Sequence, residues 1–286
     1  MPCDAAGPPT EAVVREALAV ATPLAREAGE LARRALREGA IASRAKGARG
    51  DLVTPVDIAA ERLIVDGIRR RFPDHEVCSE EAGRVGGPSP WTWLVDPLDG
   101  TNNVALGLAL HGVCITLCHR GEPWAAVVHD GSRQRTLTAA RGHGARAGGR
   151  PVCLPDGAEP PERTTVSWLQ GYGVARDDRR AAHVRGALAA TFKRTLATWA
   201  PAVDWALAAT GGLGAVVAYR NELEDPPRRI AVDARGRRRG VRLRGPSAGA
   251  RGPLRRGDRR TPGDGRRGRR SCAGGLTGLA NLAELC

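Results

Sequence analysis

The first seventy positions of the chain show apolar residues repeating with the period of a helix. Between residues 11 and 38 they follow helical spacing, at Val13, Val14, Leu18, Leu24, Ala28, Leu31 and Leu36. This spacing predicts one long amphipathic helix over residues 11–38. A second stripe of the same period is formed by Ile58, Leu63, Ile64 and Ile68. It predicts a helix over residues 56–71.

Short apolar runs bounded by turn residues follow, and these predict strands. In the first half the predicted strands lie near residues 75–79, 92–96, 110–118, 123–129 and 134–140. After a connector rich in Pro and acid at 154–162, a strand (164–169), helix (177–191), strand (194–199), helix (202–211) and strand (213–219) follow. This alternation predicts a layered α/β (α+β) domain over residues 1–225. We divide it into an N-terminal lobe (about 11–150) and a C-terminal lobe (about 151–225).

The segment Asp96-Pro97-Leu98-Asp99-Gly100-Thr101 carries the most specific chemistry. It follows the predicted strand at Trp93-Leu94-Val95 and leads into residues that begin helices well. Carboxylate oxygens suit a hard cation such as Mg²⁺, and free N–H groups at a helix start suit a phosphate. Asp-Pro and Asp-Gly pairs are also ordinary turn formers, so the segment alone does not decide between a site and a turn.

Three further acidic segments lie near predicted strand ends or helix starts. They are Asp51 to Asp57, Glu80-Glu81 and Asn221 to Asp225. Thr54 or Asp57 lies at the start of the second helix, where either residue is also a common cap. Glu80-Glu81 can likewise be a solvated turn. Four such segments in one α/β chain are nevertheless more than turns require, and they favour a shared acidic site.

These motifs together resemble the inositol monophosphatase family of Mg²⁺-dependent, typically lithium-sensitive phosphomonoesterases. The matching segments are Asp51-Leu52-Val53-Thr54 with Asp57, Glu80-Glu81, Trp93 to Thr101 with Asn103, Arg141 to Ala145 with Gly148 to Pro151, and Ala209 to Gly212. The resemblance covers about residues 12–225. Ser79 replaces a Gly of the family pattern, Val104 a Phe and Glu224 a Trp. The resemblance implies a layered αβαβα sugar-phosphatase fold.

By position, the resemblance also implies roles for individual residues. Metal ligands for two or three Mg²⁺ ions would be Glu80, Asp96, the Leu98 carbonyl, Asp99 and Asp225. Catalytic residues would be Asp57, Glu80 and Thr101, with the Asp57–Thr101 pair activating water. Phosphate or substrate contacts would come from Asp99, Gly100, Thr101, Asn102 and Lys46. Lys46 belongs to a basic, Gly-rich stretch (44–50) that can equally be a solvated loop.

The implied reaction is direct attack of water on a small phosphate monoester, without a phosphoenzyme. Inositol monophosphate or a similar sugar or polyol phosphate is the leading substrate. Family members that cleave histidinol phosphate, fructose 1,6-bisphosphate or 3′-phosphoadenosine phosphates provide alternatives. Ala218 stands where inositol-cleaving members carry a Glu, and Trp199-Ala200-Pro201 replaces their Gly-Thr-Ala turn. The substrate assignment therefore stays open.

The composition changes abruptly over residues 226–270, which contain about seventeen Arg and only three Asp. The whole chain has a formal net charge of +13, whereas the remainder without this segment has one near −1. A segment with so high a net charge and so few apolar residues is predicted to be disordered. It can be a basic arm that binds nucleic acid, a solvated tail, or the product of two compensating reading-frame slips. We favour the last, because residues 271–286 again have a helical pattern, and we therefore expect weak or no activity.

Other features restrict the functional class. The seven Cys show no Cys-x-x-Cys spacing, which argues against a zinc site or a disulfide framework. His111 and His129 have no nucleophile partner in the sequence pattern, so we do not assign them as catalytic bases.

No signal peptide or membrane span is evident, so we expect a cytoplasmic enzyme. Its expected partner is a small phosphorylated polyol or sugar, not a membrane or nucleic acid. Family members are often dimers, which makes a homodimer one expectation. The alternative from another class is a non-catalytic polyanion-binding protein that uses the Arg-rich tail.

Overall fold

A computed structural model of the chain describes residues 11–39, 41–46, 51–154 and 159–220. The helices are α1 (Glu11–Glu38), α2 (Pro55–Arg71), α3 (Thr101–Ala105), α4 (Arg179–Thr191) and α5 (Pro201–Ala209), with a turn of 3₁₀ helix at Pro161–Arg163. The first strands are β1 (Arg44–Lys46), β2 (Asp51–Val53), β3 (Glu76–Ser79), β4 (Gly83–Val85), β5 (Trp91–Asp99), β6 (Gly112–His119) and β7 (Glu122–Asp130). The later strands are β8 (Arg135–Ala140), β9 (Gly144–Ala147), β10 (Arg150–Pro151), β11 (Thr165–Gln170), β12 (Arg194–Leu196) and β13 (Ala215–Tyr219).

The predicted long helix is confirmed as α1, and its buried face is made of small residues. Ala17, Ala21, Ala25, Ala28 and Ala32 are almost completely buried. Small side chains allow the helix backbone to approach its neighbours closely. Together with α2, the helix covers one face of a large sheet, around core residues that include Ile64, Val77 and Ile115. The first layer of the fold is therefore α1 with α2.

The large sheet has eight strands in the order β10-β9-β8-β7-β6-β5-β3-β4. Its neighbouring strands are antiparallel except for the parallel pair β3 and β5. The pairing of β5 with β6 shifts between Asp96 and Asp99. Asp96 lies opposite Cys114, but Asp99 lies opposite Gly112, so β5 holds one extra residue there. Pro97 explains this bulge, because it has no N–H to donate to a ladder. The strand therefore continues to Asp99, three residues past its predicted end.

A second sheet is parallel and has three strands in the order β12-β11-β13. Helix α5 lies between the two sheets, with Ala202 and Ala206 packed against the large sheet and Trp205 and Ala208 packed against the small one. Helix α4 covers the outer face of the small sheet through Ala181. The order of layers is thus helix, sheet, helix, sheet, helix, which confirms the predicted αβαβα fold.

Several predictions fall outside the described residues. These are the fate of residues 226–270, the helix at 271–286 and the position of Asp225. The division of residues 1–225 into two lobes stays a prediction. Within the part of the chain that the structure covers, none of the helices has both the length and the apolar character needed to span a membrane.

Candidate active site

The start of α2 supplies the first part of the site. Thr54 is the N-cap of α2, and its hydroxyl accepts a hydrogen bond from the Val56 N–H at 3.2 Å. Asp57, three positions later, accepts bonds through Oδ2 from the Thr54 N–H (2.7 Å) and the Thr54 hydroxyl (2.5 Å). This reciprocal arrangement is a capping box. It satisfies the backbone at the helix start and fixes the rotamer of Asp57, which is only 4% exposed.

The capping box also reaches the signature segment. The Thr101 hydroxyl, 44 positions further along the chain, lies 2.7 Å from the Asp57 Oδ1 atom, to which it donates. The same hydroxyl lies 2.9 Å from the Leu98 carbonyl oxygen. Asp57 therefore takes part in the capping box and also accepts a hydrogen bond from Thr101, while its catalytic role stays a prediction. Thr101 does not cap α3: the N-cap is Gly100, which makes no side-chain capping bond.

Gly100 is required by the shape of this turn. Its φ is +87°, and a Cβ atom at this position would lie 2.8 Å from the Leu110 carbonyl oxygen. Only glycine adopts this conformation at no steric cost. Just before it, Asp96 Oδ1 accepts a bond from the Leu98 N–H at 3.2 Å. The bulge and the glycine together turn the chain within four residues and place Asp96, Asp99 and Thr101 on one short segment.

Asp99 connects the turn to the second half of the chain. Its Oδ2 atom accepts a bond at 2.8 Å from the Ala202 N–H, at the start of α5. Burial raises the pKa of Asp99 well above its usual range, and the negative charges of Asp204 and Glu80 add to this, while the Ala202 N–H acts in the opposite sense. The charges of Glu80 and Asp99, two of the predicted ligands, thus act on each other.

Glu80 lies just after β3 and is held by a cation. The Lys46 ammonium Nζ contacts Glu80 Oε1 at 2.9 Å and Glu81 Oε1 at 2.6 Å. Partial burial raises the pKa of Glu80, and Lys46 opposes that shift. The pKa of Lys46 is itself raised, because its bonds to Glu81 and Glu80 outweigh the opposing effect of burial. The structure therefore places Lys46 on the acidic residues, and its predicted contact with phosphate stays a prediction.

The remaining predicted residues lie around α3. Asn102 is buried, and its Nδ2 atom donates to the Tyr172 hydroxyl at 2.9 Å. Asn103 donates to the carbonyl oxygens of Leu110 (2.9 Å) and Thr198 (2.8 Å). These bonds hold α3 against loops from both halves of the chain. Of all predicted site residues, only Asp225 lies outside the described residues.

The donor set has the chemistry that Mg²⁺ prefers. Glu80, Asp96 and Asp99 offer carboxylate oxygens and Leu98 a carbonyl oxygen, and hard cations bind oxygen ligands. Among the described residues, no three His, Cys, Asp or Glu side chains form a ready-made cage. Mg²⁺ does not need one, since it keeps several waters and binds through one or two carboxylates plus substrate phosphate. The residues present fit such an ion, with Glu80 currently paired to Lys46.

Two supporting residues were not predicted from the sequence. Glu61 is buried in α2, and its Oε1 atom accepts bonds from the N–H groups of Glu81 (3.0 Å) and Ala82 (2.9 Å). It therefore fixes the backbone next to Glu80. Asp204 is completely buried and accepts bonds from the hydroxyls of Ser167 (2.6 Å) and Thr198 (2.7 Å). One sequence signal could have identified Glu61 and Asp204: each is a charged residue at a helix position that faces the core.

His111 and His129 are almost completely buried. His111 Nδ1 lies 3.2 Å from the Ala109 carbonyl oxygen and His129 Nδ1 lies 3.0 Å from the Thr136 hydroxyl. Burial lowers the pKa of both side chains, in His129 to about 4. Two neutral imidazoles in the core are consistent with our decision not to assign them as catalytic bases.

Five alternating layers with an acidic turn at their centre define the class as an α/β protein of the sugar-phosphatase fold. The chain belongs to the inositol monophosphatase family: the model of the "Inositol monophosphatase family" matches residues 13–223. The predicted family is thereby confirmed.

Among curated relatives, the chain is 41% identical over 137 residues to the Nus factor SuhB of Pseudomonas aeruginosa, covering 46% of this chain and 50% of that protein. It is 42% identical over 108 residues to the inositol-1-monophosphatase of Synechocystis, covering 37% and 38% respectively. The chain thus spans half or less of the length of these two relatives.

Solved structures extend the likeness over more of the chain. The Thermotoga maritima IMPase superposes with a TM-score of 0.63 at 26% identity, over 72% of this chain and 77% of that one. An IMPase/NADP phosphatase complexed with Mg²⁺ and phosphate superposes with a TM-score of 0.58 at 19% identity, over 72% and 76%. The second likeness is one of fold alone.

Proposed function

We propose that this protein hydrolyses a small phosphate monoester, inositol monophosphate or a similar sugar or polyol phosphate, with the help of Mg²⁺. One observation carries the proposal. Thr101 lies on the same short turn as Asp96 and Asp99, and its hydroxyl donates a hydrogen bond to the buried Asp57 at 2.7 Å. A hydroxyl–carboxylate pair beside a group of oxygen ligands is an arrangement suited to activating water.

Each residue has a distinct task in this proposal. The N–H groups of Gly100 and Thr101 bind phosphate oxygens, and Asn102 and Lys46 contribute further contacts. The attacking water donates a hydrogen bond to Thr101 Oγ1, and as its proton moves onto that oxygen the Thr101 hydroxyl proton passes to Asp57 Oδ1. Mg²⁺, held by Glu80, Asp96, Asp99 and the Leu98 carbonyl, with Asp225 as a further ligand, would supply Lewis acidity and lower the pKa of bound water. Two or three ions are expected.

The comparisons support the reaction and the cofactor but leave the substrate open. A curated relative is an inositol-1-monophosphatase, and a structural neighbour is complexed with Mg²⁺ and phosphate. In this chain Trp199 and Ala218 are exposed near the end of the small sheet. A polyol phosphate therefore remains a proposal to be tested with a panel of monoesters.

The test is phosphate release by the full chain across that panel, with and without Mg²⁺. We expect a low but Mg²⁺-dependent rate, which Asp96→Asn reduces by at least about 100-fold because one ligand charge is lost. The matched control is Asp66→Asn, the same chemical change on the exposed face of α2. Release that needs no Mg²⁺, or equal rates in the two variants, would contradict the proposal.

A second candidate function is suggested by the name of the first relative, a Nus factor. Under this hypothesis the chain binds a polyanion such as nucleic acid through the Arg-rich residues 226–270, without catalysis. Deleting those residues should then abolish nucleic-acid binding, and Asp96→Asn should leave binding unchanged. Loss of phosphate release in Asp96→Asn, with nucleic-acid binding absent from the intact chain, would favour the phosphatase.

A further inference from the structure

Tyr172 reaches the acidic site from the other half of the chain. It lies two residues after the end of β11, and its side chain is half exposed. Its hydroxyl oxygen lies 2.9 Å from Asn102 Nδ2, across 70 positions of sequence. Asn102 is buried in α3 next to Thr101, so the phenol ring is anchored beside the signature turn.

The direction of this hydrogen bond decides what the hydroxyl can still do. An amide nitrogen of Asn only donates, so the Tyr172 oxygen must be the acceptor. A phenol hydroxyl also carries a hydrogen that it can donate. Among the described residues, Asn102 is the one hydrogen-bond partner of this hydroxyl. The hydroxyl hydrogen is thus available to an acceptor that enters the site.

The surroundings of Tyr172 keep its hydroxyl in the protonated form. Burial raises the pKa of Tyr172 to about 12, and the negative charges of Asp51, Glu80 and Asp99 contribute to the rise. The hydroxyl therefore stays protonated at any physiological pH, and it is close enough to these three carboxylates for their charges to act on it. A neutral O–H donor that is oriented in advance can bind an anionic oxygen there without having to titrate.

We propose that Tyr172 is a substrate-binding residue whose hydroxyl, oriented by Asn102, donates a hydrogen bond to a phosphoryl oxygen. This inference rests on the proposed function, because it requires a phosphate beside the signature turn. It adds a contact from the loop after β11 to a site whose other described residues come from the first half of the chain. Phosphate binding would then connect the two halves of the chain.

The chain offers a matched control, because it contains only two tyrosines. The other, Tyr219, lies at the end of β13, and its hydroxyl contacts Asp178 at 3.3 Å, away from the turn. Tyr172→Phe and Tyr219→Phe each remove one hydroxyl and keep the ring. Binding of inorganic phosphate is measured by calorimetry on the full chain in Mg²⁺, with thermal unfolding as the check on folding.

We expect Tyr172→Phe to weaken phosphate binding by about 10-fold, as for loss of one hydrogen bond to a charged group, and to raise KM more than it lowers kcat. Tyr219→Phe should leave phosphate affinity within about twofold of the parent chain. Equal phosphate affinities in the two variants would overturn the inference. A purely structural role for Tyr172 predicts that outcome, with a lower unfolding temperature for Tyr172→Phe.

A second measurement observes the hydroxyl itself. Tyrosine labelled with ¹³C at Cζ gives two resonances, and the Tyr219→Phe protein retains only that of Tyr172. Adding phosphate with Mg²⁺ should shift this resonance, and bound phosphate without a shift would overturn the inference. If the parent chain releases phosphate from monoesters but both measurements fail, only Tyr172 is misassigned. If the parent chain neither binds nor releases phosphate, the proposed function fails as well.

Discussion

Replacing Thr101 by Val is the most informative single change in the site. Valine has nearly the same shape but no hydroxyl, so the bonds to Asp57 Oδ1 (2.7 Å) and the Leu98 carbonyl (2.9 Å) are both lost. Asp57 keeps its two bonds from Thr54 on the other oxygen. The capping box of α2 therefore survives, and the change acts on one carboxylate oxygen and on the proposed water-activating pair.

The expected magnitudes follow from these bonds. Leaving the Oδ1 atom of the buried Asp57 without its donor costs about 1–3 kcal/mol of folding stability. We expect the lower end, because Thr101 is only partly buried and water can reach the position. Catalysis should suffer more: removing a group that positions or deprotonates the attacking water typically lowers the rate about 100- to 10,000-fold.

Two controls separate stability from chemistry. Thr101→Ser retains the hydroxyl and should keep kcat within about 10-fold of the parent chain. Thr54→Val removes the N-cap hydroxyl and its bond to Asp57 Oδ2 but leaves the Thr101 bond to Oδ1, so it should cost at least as much stability as Thr101→Val and lower kcat much less. Urea unfolding and Mg²⁺-dependent phosphate release are measured on all three variants. A folded Thr101→Val protein with at least half of the parental rate would refute the role of the Asp57–Thr101 pair.

Three further predictions concern residues outside that pair. Glu61→Ala removes the acceptor that holds the Glu81 N–H, so the Mg²⁺ concentration for half-maximal turnover should rise about 10- to 100-fold, and an unchanged Mg²⁺ requirement would count against this role. Trp199 is 61% exposed with a φ of +55°, so Trp199→Gly should raise the free energy of unfolding by about 1 kcal/mol, and a lower value in urea titrations would contradict this. Burial, followed by the neighbouring His111, lowers the pKa of His129 to about 4, so between pH 6.5 and 4 the unfolded chain binds a proton that the native one does not. The free energy of unfolding should therefore decrease by up to about 1.4 kcal/mol for each pH unit by which the pH is lowered in this range. His129→Gln should flatten this dependence, and an unchanged slope would contradict the assignment.

The regular elements were predictable because their signals are local. The stripe of α1 fixed its bounds at 11–38, and the apolar runs located β6, β7 and β8 to within two residues. The end of β5 was not predictable in the same way. A Pro normally ends a strand, and only the pairing with β6 shows that the sheet accommodates Pro97 in a bulge. The short strands β1, β2, β4, β9 and β10 have too few residues to show a period.

The grouping of the candidate residues was predictable where their motifs lie close together in sequence. Asp96, Asp99 and Thr101 occupy one turn, as their spacing indicates. The Tyr172 contact and the role of Glu61 were missed because they join segments 70 and 20 positions apart, where no periodic pattern connects the partners. Lys46 was assigned to phosphate from resemblance, yet its ammonium contacts Glu80 and Glu81, because opposite charges at this distance attract each other. Sequence indicates which residues carry charge, but not which of them pair.

Crystals of the full chain soaked with Mn²⁺ and phosphate, with anomalous diffraction at the manganese edge, test the proposed ligand set most directly. A peak within coordination distance of Glu80, Asp96, Asp99 and the Leu98 carbonyl is expected, with Glu80 turned away from Lys46 and phosphate beside Gly100. Manganese elsewhere, or none while Glu80 stays on Lys46, would contradict a metal-dependent phosphatase.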